Sequence, residues 1–437
     1  MSKLEALHGR IETRDAHIGV IGLGYVGLPL VVELGNAGFH VTGFDVDTTK
    51  VRAIAEGRSY IGDVPSSDVA TLVEKGRFDA TSDFDTLADV DVINICVPTP
   101  LRKTRDPDVS FIASAVEEIR RHLREGQLII LGSTTYPGTT HEFVIPMLEG
   151  AGLEIGRDFS LAFAPERIDP GNTKFKVKDV PKVVGGETPL CTRLACAIFD
   201  TIFEQTIPVT STQAAEMVKL LENTFRAINI GLANEIALMC EKLDLDVWEV
   251  IEAAATKPYG FMKFTPGPGL GGHCIPVDPV YLSWKMKSLN FPARFIELAT
   301  EVNSGMPDHV VDRIAEMLNE DRLAVNGARI LILGIAYKPG VDDMRESPAL
   351  DVIAGLCGRG GDIRYHDPFV AECEIAGEPM KSVDLTDEEL KTSDLVVILT
   401  DHPNVDYGRV VRVGPRVFDT RNATVGVEND REKITKL

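Results

Sequence analysis

His17-Ile-Gly-Val-Ile-Gly-Leu-Gly-Tyr-Val-Gly-Leu-Pro-Leu-Val-Val-Glu-Leu-Gly-Asn-Ala-Gly-Phe-His-Val-Thr-Gly-Phe-Asp45 is the stretch from which the fold follows. Its first five residues form a short, mostly apolar run that suits a buried strand. His40 to Asp45 reads as a second strand, and Leu28 to Ala37 between them reads as a helix. Gly22-Leu-Gly-Tyr-Val-Gly27 has the G-x-G-x-x-G spacing. Gly22 makes the tight turn, Gly24 lets a pyrophosphate approach, Gly27 lets helix meet strand, and the helix amides receive the phosphates. Asp45 closes the second strand, where it can accept from a ribose 2′-hydroxyl. A lone G-x-G-x-x-G also occurs in packing turns; strand, turn, helix, strand and acid in this order describe a dinucleotide site. A carboxylate at 45 with no arginine immediately after it repels a 2′-phosphate, which favours NAD over NADP.

Parallel-sheet units continue beyond this motif. Asp91-Val-Ile-Asn-Ile-Cys-Val97 runs into Pro98-Thr-Pro100, Gln127-Leu-Ile-Ile-Leu131 into Gly132-Ser-Thr-Thr135, and Ser160-Leu-Ala-Phe-Ala164 into Pro165-Glu-Arg167. Helical stretches at 109–124 and 139–150 separate them. Ligands of such sheets collect beyond the carboxyl ends of the strands, so Thr99, Thr134 and Glu166 are candidates by position. Their plainer readings are turn residues and a surface carboxylate.

From Ser211 to about Cys240 one long helix is expected, with Met217, Leu221, Phe225, Ile228, Leu232 and Ile236 at helical spacing. About 40 Å of helix, at 1.5 Å per residue, is long enough to bridge two domains. Lys219, Asn223 and Arg226 share a face of it at i, i+4 and i+7, as a lined ligand site or a solvated stripe. Helices over Val247–Ala255 and Phe295–Asn303 complete an all-helical middle.

That middle contains Thr265-Pro-Gly-Pro-Gly-Leu-Gly-Gly-His-Cys-Ile-Pro-Val-Asp-Pro279, with four glycines between 267 and 272. Such a run is entropically costly to order as helix or strand and is read as a loop. Asp278 and Pro279 suit a helix start, which puts Cys274 just before a helix N-terminus, where amides and dipole favour a thiolate. The alternative is a small buried cysteine in a tight turn. The paired glycines Gly271 and Gly272 suggest close approach of a large ligand.

After residue 320 the pattern returns to α/β: Arg329-Ile-Leu-Ile-Leu-Gly334, a helix near 347–358, Asp362-Ile-Arg-Tyr-His366, Asp394-Leu-Val-Val-Ile-Leu399 and Arg416-Val-Phe-Asp419. The turn Gly334-Ile-Ala-Tyr-Lys-Pro-Gly340 lacks the dinucleotide spacing and is not read as a second NAD site. Lys338 and Arg345 near it suit phosphate or carboxylate groups, or are surface charge. A cofactor on the first α/β domain and a nucleotide-bearing substrate on the last is the arrangement implied.

Composition narrows the rest. With 437 residues, 44% of them apolar and 25% charged, the chain is an ordinary globular one of two or three domains. A net charge of −21 argues against nucleic acid or an anionic membrane as partner. Seven cysteines form no CxxC pair and no cluster with metal-ligand spacing, as expected of a reducing cytoplasm and of a site without metal. No apolar run reaches the ~18 residues of a membrane span, and the opening residues lack the apolar core of a signal peptide. The first fifteen residues are expected to be a loose arm.

Six motifs in order resemble the UDP-glucose/GDP-mannose dehydrogenases along nearly the whole chain. They are Gly22-Leu-Gly-Tyr-Val-Gly-Leu-Pro29, Ser133-Thr134, Ala164-Pro-Glu166, Lys219-Leu-Leu-Glu-Asn223, Gly271-Gly-His-Cys-Ile-Pro-Val-Asp278 and Arg345-Glu-Ser-Pro348. The resemblance implies two doubly wound Rossmann-like α/β domains joined by a central helical domain with one long helix. The expected pieces are an arm at 1–15, an NAD-binding domain at 16–208, a central domain at 209–318 and a UDP-binding domain at 319–437. It implies Cys274 as nucleophile, Lys219, Asn223 and Asp278 around a water and the developing oxyanion, and Glu166 and Thr134 assisting proton transfer. The NAD set would comprise Gly22, Gly24, Tyr25, Val26, Gly27, Asp45, Lys50, Pro98, Thr99, Thr134 and Arg345. The sugar nucleotide would meet Glu166, Arg167, Lys219, Asn223, Arg226, Tyr259, Phe264, Gly269, His273 and Lys338.

Members of the family oxidise a nucleotide sugar's C6 alcohol to a carboxylate with NAD, through a cysteine thiohemiacetal and thioester. The implied setting is polysaccharide biosynthesis in the cytoplasm, by a homodimer or higher oligomer built on the long helix. Many UDP-glucose members carry lysine where this chain has Val277. The run Thr256-Lys-Pro-Tyr-Gly-Phe-Met262, followed by Gly267 to Pro276, is similar to the branch acting on UDP-N-acetylhexosamines. UDP-N-acetylglucosamine is the expected substrate, with UDP-N-acetylmannosamine and UDP-glucose as alternatives. A single-hydride hydroxyacid-type dehydrogenase needs neither thiol nor third domain, and a non-catalytic sensor would have no need of Cys274 and Lys219. From Asp45, kcat/KM with NAD should exceed that with NADP at one ionic strength; equal values would contradict the role given to that carboxylate.

Overall fold

In the computed structural model, residues 2–167, 177–272 and 274–437 are described. The chain divides into two compact units, residues 1–222 with 280–290 and residues 223–279 with 291–437. The helix Arg294–Glu320, expected only to Asn303, runs on past Pro307. Its Val310, Ile314 and Met317 share one core with Ile330 and Ile332 of the C-terminal sheet.

Among the described residues the first unit holds eight strands: β1 (His17–Ile21), β2 (His40–Phe44), β3 (Phe78–Thr81), β4 (Val92–Ile95), β5 (Leu128–Leu131), β6 (Ser160–Phe163), β7 (Lys182–Gly186) and β8 (Thr206–Val209). They lie in the order β3-β2-β1-β4-β5-β6-β7-β8. Every pair is parallel except β6 with β7. Side-chain alternation divides each strand between two cores. Ile18, Val20, Leu128 and Ile130 face one of them, and Ile21, Ile129 and Leu131 the other. The order reverses between β1 and β4, which opens a crevice beyond their carboxyl ends.

The second unit contains β9 (Arg329–Leu333), β10 (Asp362–His366), a hairpin of β11 (Glu372–Ile375) and β12 (Glu378–Lys381), β13 (Leu395–Ile398), β14 (Arg416–Asp419) and β15 (Ile434–Lys436). Its parallel sheet has the order β10-β9-β13-β14-β15 and reverses between β9 and β13. Ile330 and Ile332 face one core, Leu331 and Leu333 the other. Both sheets are doubly wound.

The residues expected to be a loose arm are a helix, Lys3–Thr13. Ser2 and Glu5 close a capping box, and Leu4, Leu7 and Ile11 are fully buried in the core of the first sheet. Their i, i+3, i+7 spacing is an apolar face. Arg10 adds an ion pair to Asp91 at 2.7 Å.

The long helix spans Thr212–Lys242, 31 residues and about 46 Å. Its burial does not follow the apolar positions alone. Lys219 and Asn223 are buried, whereas Leu221, Phe225 and Leu232 are 57%, 44% and 54% exposed in the single chain. Among the described residues no helix is long and apolar enough to cross a membrane.

Glycine is required at Gly27 by contact: a Cβ there would sit 1.8 Å from the Gly22 carbonyl oxygen, while one on Gly24 would meet nothing within 4 Å. Gly27→Ala should therefore exceed the ordinary overpacking cost of about 1–3 kcal/mol, and Gly24→Ala should stay within about 0.5 kcal/mol of the native protein. Thermal melts of the two variants test this; equal melting temperatures would contradict it.

Candidate functional site

At the β1–β4 crevice the first turn is fixed by backbone and one carboxylate. Gly22 adopts φ 92° and its N–H donates to the Phe44 carbonyl at 2.8 Å. Asp45 Oδ2 accepts from the Leu23 N–H at 2.9 Å and from Lys50 Nζ at 3.0 Å, and its Oδ1 accepts from the Asp47 N–H. The charge that the sequence sets against a 2′-phosphate is thus partly compensated by Lys50. The following helix, Gly27–Asn36, has no side chain capping its first turn; the Leu28 N–H donates to the Gly24 carbonyl at 3.1 Å, and the positive end of the helix still suits an anion. Open space over Gly24, a helix N-terminus without a side-chain cap and an acid at the second strand fit a dinucleotide. Tyr25 is exposed and Val26 half-buried beside this turn. Pro98 and Thr99 follow β4 on the crevice's other side, where the buried Tyr281 hydroxyl donates to the Thr99 and Pro100 carbonyls.

Beyond β5 and β6 the same unit assembles Thr134, Glu166 and Arg167. Ser133 Oγ donates to the Val97 carbonyl at 2.8 Å, which ties the Thr134 segment to the end of β4. Glu166, read as a possible surface carboxylate, is instead largely enclosed: its Oε2 lies 3.1 Å from Lys182 Nζ, the two side chains being 12% and 4% exposed. Arg167 donates two hydrogen bonds to the Glu222 carboxylate and one to the Pro181 carbonyl. Burial pushes the nearby Cys96 thiol up to about 12, which favours its protonated form.

In the second unit Cys274 lies in a turn that leads into the helix Asp278–Ser288. Its carbonyl accepts from the Asp278 N–H at 2.8 Å and the Val277 N–H at 3.1 Å. Asp278 is the first helical residue, and its Oδ2 accepts from Asn223 Nδ2 at 2.5 Å with both residues buried. Lys219 lies one turn before Asn223 on the long helix and is also buried; Arg226, expected on the same face, is exposed. Phe264 packs against Phe225 with ring centroids 5.8 Å apart, and Tyr259 is 73% exposed. His273 lies outside the described residues.

The glycines of this loop are required by the chain itself. A Cβ on Gly271 would fall 2.7 Å from Tyr337 Cβ, on Gly272 2.9 Å from the Tyr337 ring, on Gly269 3.0 Å from Pro348 Cβ, and on Gly267 2.4 Å from Arg421 Nη1. They are small because the chain's own segments press on them. The Gly272 N–H donates to the Arg345 carbonyl, and the Gly267 N–H to Asn234 Oδ1. Asn234 in turn donates to Asn303 Oδ1, and Asn303 to the Ala227 carbonyl.

At the β9–β13 crevice a second carboxylate repeats the Asp45 arrangement. Asp367 Oδ2 accepts from the Ile335 and Ala336 N–H groups at 2.8 and 3.1 Å, and Oδ1 from Phe369 and Val370. His402 Nδ1 accepts from the Gly340 N–H, so its Nε2 carries the proton and donates to Asp367 Oδ2 at 3.0 Å. Loops after β9, β10 and β13 are braced together in this way. Lys338 lies in the first of them, with its ammonium 5.5 Å from the Tyr337 ring centroid, and Arg345 pairs with Asp343 at 2.7 Å.

Sequence reasoning did not single out Lys182, Asn234, Asn303, Asp367, His402 or Arg421. Asp367 had a signal, since it follows the second strand of its domain as Asp45 does, and Lys182 another, as a lysine opening the apolar run Val183-Val184. The two asparagines had none, because their partners are distant in the chain.

These two crevices on doubly wound sheets, with a helical segment carrying a cysteine turn, define an NAD-dependent oxidoreductase acting on a nucleotide-bearing substrate. The chain belongs to the UDP-glucose/GDP-mannose dehydrogenase family. The family's NAD binding domain matches residues 16–207, its central domain 213–305 and its UDP binding domain 331–425. The chain is similar to a UDP-N-acetyl-D-glucosamine 6-dehydrogenase of Pseudomonas aeruginosa, 36% identical over 82% of this chain and 84% of that one. It is also similar to a UDP-N-acetyl-D-mannosamine dehydrogenase of Methanococcus maripaludis, 35% identical over 95% and 94%. The solved UDP-N-acetyl-D-mannosamine dehydrogenase of Pyrococcus horikoshii superposes with a TM-score of 0.85 at 33% identity, covering 93% of this chain and 96% of that one. The protein is an NAD-dependent UDP-sugar dehydrogenase.

Burial pushes the Asp367 carboxyl up, but the His402 hydrogen bond and the Ile335 and Phe369 amides outweigh it and hold it below its usual range. A depressed folded value stabilises the fold above the unfolded pKa of about 3.9 and is lost as pH falls through the folded value. Asp367→Ala should cost about 3–5 kcal/mol by stranding His402 and four amides. Its stability should also vary less with pH below 4 than the native protein's. Urea unfolding across that range is the measurement, and a parallel pH dependence in both proteins would contradict the assignment.

Proposed function

We propose that the chain oxidises the C6 alcohol of UDP-N-acetylglucosamine to the carboxylate in two successive steps, with Cys274 as the covalent centre. The observation that carries this reading is the Asn223–Asp278 hydrogen bond. It fixes, in a buried setting, the start of the helix that follows the cysteine turn, and it joins that start to the helix carrying Lys219. NAD, when bound, accepts one hydride in each oxidation. In the first half-reaction Glu166, assisted by Thr134, takes the hydroxyl proton as C6 becomes an aldehyde. The Cys274 thiolate adds to that carbonyl, which forms a C–S bond and leaves the charge on oxygen. Lys219 and Asn223 stabilise this oxyanion in a site with little water to compete. The thiohemiacetal is oxidised to a thioester, and a water held near Asp278 attacks it, giving the carboxylate and returning the thiol.

Lys338 and Arg345 are assigned to phosphates, Arg167, Arg226, Tyr259, Phe264, Gly269 and His273 to the substrate region. Relatives acting on both the gluco and the manno N-acetyl sugars are similar to this chain. Val277 and the 256–276 run support an N-acetylhexosamine over glucose, and the gluco epimer is the reading adopted. A homodimer through the long helix is supported by the exposed Leu221, Phe225 and Leu232, an apolar stripe of the kind a partner covers. The cysteine pattern supports a reducing, cytoplasmic setting, and the family resemblance a role in polysaccharide biosynthesis.

The test is a panel of UDP-sugars with NAD, read as NADH formed per sugar consumed. Two NADH per sugar are expected, with UDP-N-acetylglucosamine giving the highest kcat/KM; a tenfold advantage for UDP-glucose, about 1.4 kcal/mol of transition-state preference, would overturn the sugar assignment. Cys274→Ala should abolish uronic acid formation while its melting temperature and NAD affinity stay near native. Near-native turnover by that variant would remove the cysteine from the mechanism.

A further inference from the structure

Lys182 opens β7, the strand that runs antiparallel to β6 with Ala162 opposite Gly186 and Phe163 opposite Gly185. Carried three residues past Phe163, that register sets Glu166 opposite Lys182, and the side chains meet with Nζ 3.1 Å from Oε2. The ammonium also lies over the Phe199 and Phe203 rings, 5.1 and 5.4 Å from their centroids. The other carboxylate oxygen, Oε1, accepts from the Arg167 N–H at 2.7 Å. Both oxygens of Glu166 are therefore held, one by the chain and one by a cation.

A buried ion pair is seldom the most stable way to fill such a place, since desolvation offsets most of the attraction and apolar residues of like volume often serve as well. An ammonium 4% exposed and seated on two aromatic faces has a further use if the carboxylate must remain charged. We propose that Lys182 is a positioning residue for the oxidation: it keeps Glu166 ionised and fixes the direction of its oxygens, so that Glu166 can take the substrate's proton. This rests on the role given to Glu166 above. Two other described titratable groups near Glu166 are differently engaged. Cys96, beyond β4, keeps its proton through burial, and the Arg167 guanidinium is turned to Glu222 and the Pro181 carbonyl.

The experiment uses the full chain with NAD and the UDP-sugar turned over fastest in the panel above. Lys182→Met should move the acid limb of the kcat/KM profile up by about one pH unit and lower kcat/KM at pH 7 by about tenfold. Lys182→Arg should remain within about threefold of native. Should the methionine variant not fold, Lys182→Gln, which keeps a hydrogen-bond donor without the charge, carries the same expectation. In a Glu166→Gln background the Lys182→Met change should cost less than about twofold, because the group it acts through is gone. An unmoved acid limb, or an equal loss in both backgrounds, would overturn the proposal. Near-native turnover by Glu166→Gln alone would instead remove Glu166 from the chemistry and the proposal with it, and is distinguishable because it needs no Lys182 variant.

Discussion

In each parallel sheet an aspartate at the end of the second strand grips the amide of the turn after the first strand. Asp45 holds Leu23 and Asp367 holds Ile335. The constraint is electrostatic and geometric at once. A carboxylate accepts several N–H groups without leaving a donor unsatisfied, and its position at the strand's carboxyl end sets the height of the adjacent turn. Both turns open on a glycine at positive φ, Gly22 and Gly334. At each, a Cβ would strike the backbone beyond the neighbouring strand, at the Cys96 and Thr400 carbonyls. Each acid has its own cationic or hydrogen-bonding companion, Lys50 in one sheet and His402 in the other. The two crevices are variations of one arrangement, a dinucleotide cradle in the first and a nucleotide end in the second.

The cysteine turn depends on a different kind of constraint. Its glycines are pressed by Tyr337, Pro348 and Arg421, and its carbonyls and amides are fixed by Arg345, Asn234 and Asp278 rather than by a regular element. Asn234 and Asn303 form a buried amide relay between two helices. Pro307, which has no N–H to offer the Asn303 carbonyl, lies one helical turn further on. Such a loop is costly to order, and the partners that Arg345, Asn234 and Asn223 supply to Gly272, Gly267 and Asp278 help to hold it. Cys274, set on that loop, inherits its precision without needing a helix or strand of its own.

Much of this was legible along the chain. The βαβ unit, the strand ends that carry Thr99, Thr134 and Glu166, the extent of the long helix and the loop around Cys274 all follow from local period, glycine spacing and capping residues, which are physical properties of neighbours in sequence. The N-terminal helix, expected as a loose arm, was missed: Leu4, Leu7 and Ile11 do fall at helical spacing, but the polar residues around them concealed a short apolar face.

The sequence by itself determined the two doubly wound sheets, the dinucleotide turn and the family's motifs, because these depend on residues close together in the chain. Only the tertiary structure decided which of the long helix's faces is covered, that Glu166 is paired with Lys182, that Asp367 and His402 brace three loops, and that the loop glycines make room for protein. Those outcomes depend on partners brought together from distant segments. Desolvation and steric exclusion act on distance in space and leave no periodic trace in the order of residues.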